Sequence, residues 1–176
     1  MKNLDNFLKL SHYLKCYNLY KNFTEMDNRN RNAISKIENN LAEKNTLSKS
    51  EENELNEYHK ILEKIDFNNK LLENSFNNYD FSEDYVNQAL TDYKLYAFEF
   101  ITDTINESLE NKKFKHPKDV INHIRTAEKV IRKHFNNKFY ITDDLDKIFE
   151  KATEGILEQI LNWDYSLEKD DTKILK

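Results

Sequence analysis

A single glycine, Gly155, and a single proline, Pro117, in 176 residues leave this chain almost no turn chemistry for a β-sheet. Tight hairpins need left-handed backbone, which Asn-Gly, Asp-Gly or Gly-X pairs supply. The chain is therefore expected to be all-α. Asn takes over part of glycine's role, because it tolerates left-handed backbone and caps helices. The pairs Asn68-Asn69, Asn77-Asn78 and Asn136-Asn137 are accordingly the candidate boundaries.

Apolar residues recur at spacings of three and four, which only a helix gathers onto one face. Phe7, Leu10, Leu14 and Tyr17 predict a first helix over residues 3–24, and Ala33, Ile34, Ile37 and Leu41 a thinner second one over 27–45. Ser48 and Glu51 have capping-box spacing and open a third helix. Its stripe Leu55, Tyr58, Leu62, Ile65, Asn69, Leu72 and Phe76 follows a heptad seam with one polar position, although a break at Asp66–Asn69 is equally compatible with the pattern. A fourth helix over 83–112, capped by Ser82, carries Val86, Ala89, Tyr93, Ala97, Phe100, Ile101, Ile105 and Leu109 and is expected at the centre of the core. Pro117 suits the first turn of a fifth helix, where its missing N–H costs nothing; Val120, Ile124, Ala127, Ile131 and Phe135 form that helix's apolar face. Thr142 is the expected cap of a sixth, with the stripe Leu145, Phe149, Ala152, Ile156, Ile160 and Trp163. The expected fold is a single-domain helical bundle of about six helices over residues 1–166. Within it, residues 27–78 form a protruding antiparallel helical hairpin, and residues 167–176 are expected to be a charged, frayed tail.

Net charge is −5, but its sign is unevenly distributed. Residues 33–111 hold seven basic against seventeen acidic groups, whereas residues 112–138 hold nine basic against two acidic. Lys112, Lys113 and Lys115 precede the fifth helix, and Lys118, Arg125, Lys129, Arg132 and Lys133 step along it away from the apolar stripe. Two readings follow. Such a row meets nucleic-acid phosphates and gains affinity by releasing their counterions, or it stays solvated or is neutralised by the chain's own acidic helices. The acidic surplus makes the second the leading expectation.

The residues needed for chemistry are mostly missing. Di-metal bundles need Glu-x-x-His pairs, phosphate loops need several glycines, and zinc sites need clustered Cys and His; none occurs here. No metal, cofactor or catalytic site is expected. The lone Cys16 cannot close an internal disulfide, and no leader or long apolar run is found, so a cytoplasmic protein without a membrane partner is expected. His123 and His134 flank the fifth helix's apolar face and read as half-buried hydrogen-bonding groups.

Small helical ribonucleases of the HEPN family (higher eukaryote and prokaryote nucleotide-binding) carry Arg, four to six residues, then His on a helix. The fifth helix resembles this in holding Arg125 and His134. Eight residues intervene, however, and it is Lys129 that stands at the family's distance. What the resemblance implies is RNA cleavage, with the departure at the diagnostic residue. In size, acidity, lack of site chemistry and the Asn, Lys and Ile bias of an AT-rich genome, the chain also resembles small accessory proteins of phages and mobile elements, such as immunity proteins and inhibitors of host defence. The functional expectation is a non-catalytic helical protein that regulates or inhibits a protein partner. Glu51, Glu52, Glu54, Asn69 and Trp163 are candidate interface residues. The alternative is a nucleic-acid-binding or nucleoprotein-assembly subunit using the basic helix 117–137, the further alternative is the HEPN-like RNase, and the heptad seam also allows homodimerisation.

Overall fold

A computed structural model of the chain describes residues 2–44 and 46–170, with side chains described as far as Ile160. It contains five helices: α1 (Leu4–Ala42), α2 (Lys49–Phe76), α3 (Glu83–Leu109), α4 (Pro117–Lys138) and α5 (Leu145–Asp170). No strand occurs among the described residues. The expectation of six helices is corrected to five, because the predicted first and second helices are one, α1. The reason lies in the stretch Thr24–Arg31. It lacks apolar periodicity but contains neither Gly nor Pro, so the apolar stripe lapses while the backbone continues. The tail expected over 167–176 and the side chain of Trp163 lie outside the described residues, apart from the last residues of the α5 backbone.

Two compact units divide the chain: residues 1–14 with 82–176, and residues 15–81.

In the first unit, α3 packs against both α4 and α5, which also pack on each other. Phe7 of α1 is fully buried. Its ring stacks on Tyr93 at 5.2 Å and Phe100 at 5.1 Å and takes the edge of Phe139 at 4.9 Å. Phe135 of α4 meets Phe139 at 5.1 Å and Phe149 of α5 at 5.5 Å, both edge-on. Such edge and offset geometries satisfy the ring quadrupoles as well as the area term. Six of the expected α3 core positions, Val86, Ala89, Tyr93, Ala97, Ile101 and Ile105, are buried, while Phe100 and Leu109 pack at the margin. The connection between α4 and α5 is pinned by hydrogen bonds. Tyr93 Oη donates to the Tyr140 carbonyl at 2.6 Å, and the Tyr140 N–H donates to the buried Ser11 Oγ at 2.8 Å. Burial pushes the Tyr93 hydroxyl far above the usual tyrosine range, so it stays a donor.

In the second unit, α2 has no fully buried residue. Leu55, Tyr58, Leu62, Ile65, Asn69, Leu72 and Phe76 are half-buried, and they are the predicted seam. Asp66–Asn69 does not break the helix. Cross-helix partners run in opposite order along α1 and α2: Asp27 with Asn69, Arg31 with Asp66, Glu38 with His59 and Lys44 with Glu51. The polar stretch of α1 is thus seam as well. Asp27 Oδ2 accepts from Asn69 Nδ2 at 2.8 Å, and Asp27 Oδ1 accepts from Arg31 Nε at 2.9 Å. Ser48 and Glu51 make the capping box, with bonds of 3.2 and 2.9 Å. At the other end Tyr17, Tyr20, Phe76, Tyr79 and Phe81 form an aromatic cluster, Tyr79 stacking on Phe81 at 5.5 Å.

Candidate nucleic-acid interface

Helix α4 is positioned by its apolar face. Val120, Ile124, Ile131 and Phe135 are buried, with Ala127 half-buried between them; burying such side chains stabilises by roughly 1.5–3 kcal/mol each. The helix begins at Pro117, where the ring sets the first-turn dihedral and the Asp119 N–H donates to the His116 carbonyl at 2.9 Å. It ends where the Phe139 N–H returns to the Phe135 carbonyl. With about 3.6 residues per turn, the opposite side is then obliged to face outward.

On that side Lys118, Arg125, Lys129 and Lys133 are exposed, and so are Lys112, Lys113 and Lys115 on the preceding loop. None of these seven makes an ion pair with a described residue. Arg132 differs. Its Nε donates to Glu128 at 2.9 Å and its NH1 to Asp146 at 2.5 Å, and its guanidinium lies 4.2 Å from the centre of the Phe149 ring. Burial works against that charge, but the bonds to Asp146 and Glu128 outweigh it and raise its pKa. Arg132 therefore ties α4 to α5 and closes one edge of the basic face. Of the eight predicted basic residues, seven have no ion-pair partner among the described residues and the eighth is a brace. Among the described residues Arg132 alone of the eight is neutralised, by Glu128 on α4 itself and Asp146 on α5 rather than by the acidic segment 33–111.

The lysine-bearing loop is held in place by two residues that the basic pattern did not single out for this purpose. Phe114, half-buried between Lys113 and Lys115, packs against the His123 ring with centroids 5.6 Å apart. His123 Nε2 lies 3.0 Å from the Ser108 carbonyl and 3.2 Å from its Oγ, which joins α4 to the end of α3. Asn111, just beyond α3, has left-handed backbone (φ 59°) and turns the chain toward this loop. Asn accepts this conformation more readily than other side chains. An apolar residue inside a Lys-Lys-Phe-Lys run was the available sign.

The arrangement offers little to a reaction. Arg125 and His134 are nine positions apart on one helix, which at about 100° per residue places them on opposite sides of α4. They do not converge as the ribonuclease resemblance would require. Because His123 Nε2 faces a carbonyl and Ser108 Oγ already donates to Ile105 O at 2.6 Å, the pair is not arranged as nucleophile and base. Among the described residues, no group of three His, Cys, Asp or Glu side chains is placed to hold a metal ion.

The other candidates, Trp163 apart, fall in the second unit. Glu51 is occupied by the Lys44 ammonium and the Ser48 N–H, and the Lys44 bond, the larger cause, holds its carboxyl below the usual range. Glu52 is exposed, Glu54 accepts from Tyr58 Oη at 3.2 Å, and Asn69 is committed to Asp27. Off the seam, Ile61, Phe67 and Leu71 are exposed on α2. Apolar residues outside the heptad positions were the sign of this face.

No helix among the described residues is long and apolar enough to cross a membrane. Comparison with known protein families, with characterised proteins and with solved structures finds no match to this chain.

Proposed function

We propose that this chain is a non-catalytic helical binding protein whose working surface is the basic face of α4, and that the partner it meets there is a nucleic acid. The observation that carries the reading is the set of seven exposed cations, Lys112, Lys113, Lys115, Lys118, Arg125, Lys129 and Lys133, without an ion-pair partner among the described residues. A protein of net charge −5 that keeps so many like charges together on one core-anchored helix and the loop before it stores repulsion that a polyanion relieves. The test is the triple reversal Arg125→Glu, Lys129→Glu, Lys133→Glu. All three side chains are exposed, so helicity by circular dichroism stays unchanged while binding to mixed-sequence nucleic acid at low salt is lost. Wild-type protein that binds neither duplex nor single strand at low salt contradicts the reading.

Regulation or inhibition of a protein partner is the second reading. It is favoured by the apolar Ile61, Phe67 and Leu71 that residues 15–81, taken as an antiparallel helical hairpin, leave exposed on α2. A stoichiometric complex that survives the α4 triple reversal and is lost in Phe67→Asp supports it; retention of the complex by Phe67→Asp counts against it.

A further inference from the structure

Resting on the nucleic-acid reading of α4, we infer that this face takes a duplex and grips it through its phosphates, with the single strand as the poorer ligand. Three observations lead there.

The first is rigidity. Lys118, Arg125, Lys129 and Lys133 lie on one uninterrupted helix whose other side is fixed by Val120, Ile124, Ile131 and Phe135 in the core and by the Arg132 brace to Asp146. At about 1.5 Å per residue, the row from Lys118 to Lys133 is roughly 22 Å long. A straight, fixed row of cations matches a stiff line of charge. A duplex presents one phosphate charge per ~1.7 Å of axis over both strands, twice the density of either strand alone.

The second is what the face lacks. Proteins that hold single strands pair a basic groove with aromatic side chains on which bases stack. Between residues 112 and 138 the Phe, Tyr and Trp residues are Phe114 and Phe135, the one half-buried against His123 and the other fully buried. Neither is an exposed ring standing among the cations, so the face lacks the stacking platform that favours an unpaired strand.

The third is what lies beside the cations. Asn122 and Asn136 are exposed on the same side of α4. Their short amides leave the longer lysines and arginine free to reach phosphates and add hydrogen bonds of their own to the backbone, contacts that position a duplex without reading its sequence. The negative charge of the rest of the chain repels the same duplex, so the encounter is steered onto α4.

The test is fluorescence anisotropy with four labelled probes of equal length: a mixed-sequence DNA duplex, the matching RNA duplex, the DNA single strand, and polyglutamate of equal charge. At 50 mM salt at least one duplex is expected to bind tenfold or more tightly than the single strand; whichever duplex does so names the source. The logarithmic salt slope for that duplex is expected between about −3.6, for the four helical cations alone, and about −6.3, for all seven. Lys129→Glu makes the slope shallower by about 1, whereas Lys64→Glu on α2 leaves binding unchanged. A single strand bound as tightly as either duplex overturns the duplex inference and leaves the nucleic-acid reading standing. A slope shallower than −2, or polyglutamate bound as tightly as the duplexes, overturns the phosphate grip. Failure of every probe at low salt removes both the inference and the reading beneath it.

Discussion

The two units of this chain solve the same problem, how to keep long polar helices together, by opposite means. Residues 1–14 with 82–176 bury fully apolar side chains around Phe7, Tyr93, Phe135 and Phe149. Residues 15–81 bury little beyond Ile34 and Leu41, and set their register by polar pairs such as Asp27 with Asn69. The first means gives stability by the apolar area it buries. The second gives less energy but a defined alignment, as a polar residue does inside a coiled-coil seam. The lesson concerns the candidate site. A row of like charges resists being held together, and here it lies on the unit with the fully buried core.

The contrast can be broken at its strongest point first. Phe135→Ala in the first unit is expected to cost about 3–5 kcal/mol, since it removes a fully buried ring and leaves a cavity. Leu62→Ala in the half-buried seam of α2 is expected to cost about 1 kcal/mol, the ordinary scale of a point substitution. Chemical denaturation of the two variants checks this, and equal costs would erase the distinction.

Asn69→Leu sharpens the claim about register. It leaves the Asp27 carboxylate, whose side chain is 13% exposed, without one of its donors, at an expected cost of about 1–3 kcal/mol. Pairing it with Asp27→Leu is expected to recover part of that loss, because both polar partners are then gone. Additive losses in the double-mutant cycle would show that the two residues do not act together. Next in size is Ser48→Ala, which removes the capping box of α2 and is expected to cost about 1 kcal/mol, visible as a lower melting temperature.

The smallest effect is electrostatic. Hydrogen bonding to Lys94 holds the Asp144 carboxyl below its ordinary value, with Lys147 adding to the shift. A carboxyl depressed by folding contributes stability above its unfolded pKa and loses it as pH falls through the folded value. Lys94→Met should therefore lower stability slightly at neutral pH and flatten its decline on acidification. An unchanged acid profile would mean that this surface pair contributes nothing.

Much of this contrast was legible in the residues themselves, and the reasons differ by region. The α3 and α4 faces could be read because buried apolar residues repeat at helical spacing, and Pro117 and the Ser48–Glu51 box marked starts that depend on local chemistry. The continuity of α1 could not be read, because a seam made of Asp27 and Arg31 looks like a loop to any rule that counts apolar residues. Asn behaved unevenly for the same kind of reason. Asn77 caps α2 and Asn111 turns left-handed after α3, but Asn69 is a seam partner, and the distinction depends on a residue in another helix. The basic residues of the candidate site were found by counting. That seven of them lack an ion-pair partner among the described residues while Arg132 is spent on Glu128 and Asp146 is a tertiary fact that no spacing contains.

Which unit makes the contact is the central claim, and amide chemical-shift mapping tests it most directly. Titrating a mixed-sequence duplex into isotope-labelled protein at low salt should shift the amides of residues 112–133 first and most, with those of α2 unmoved. Shifts concentrated in residues 49–76, or none in α4 at saturating duplex, would contradict it.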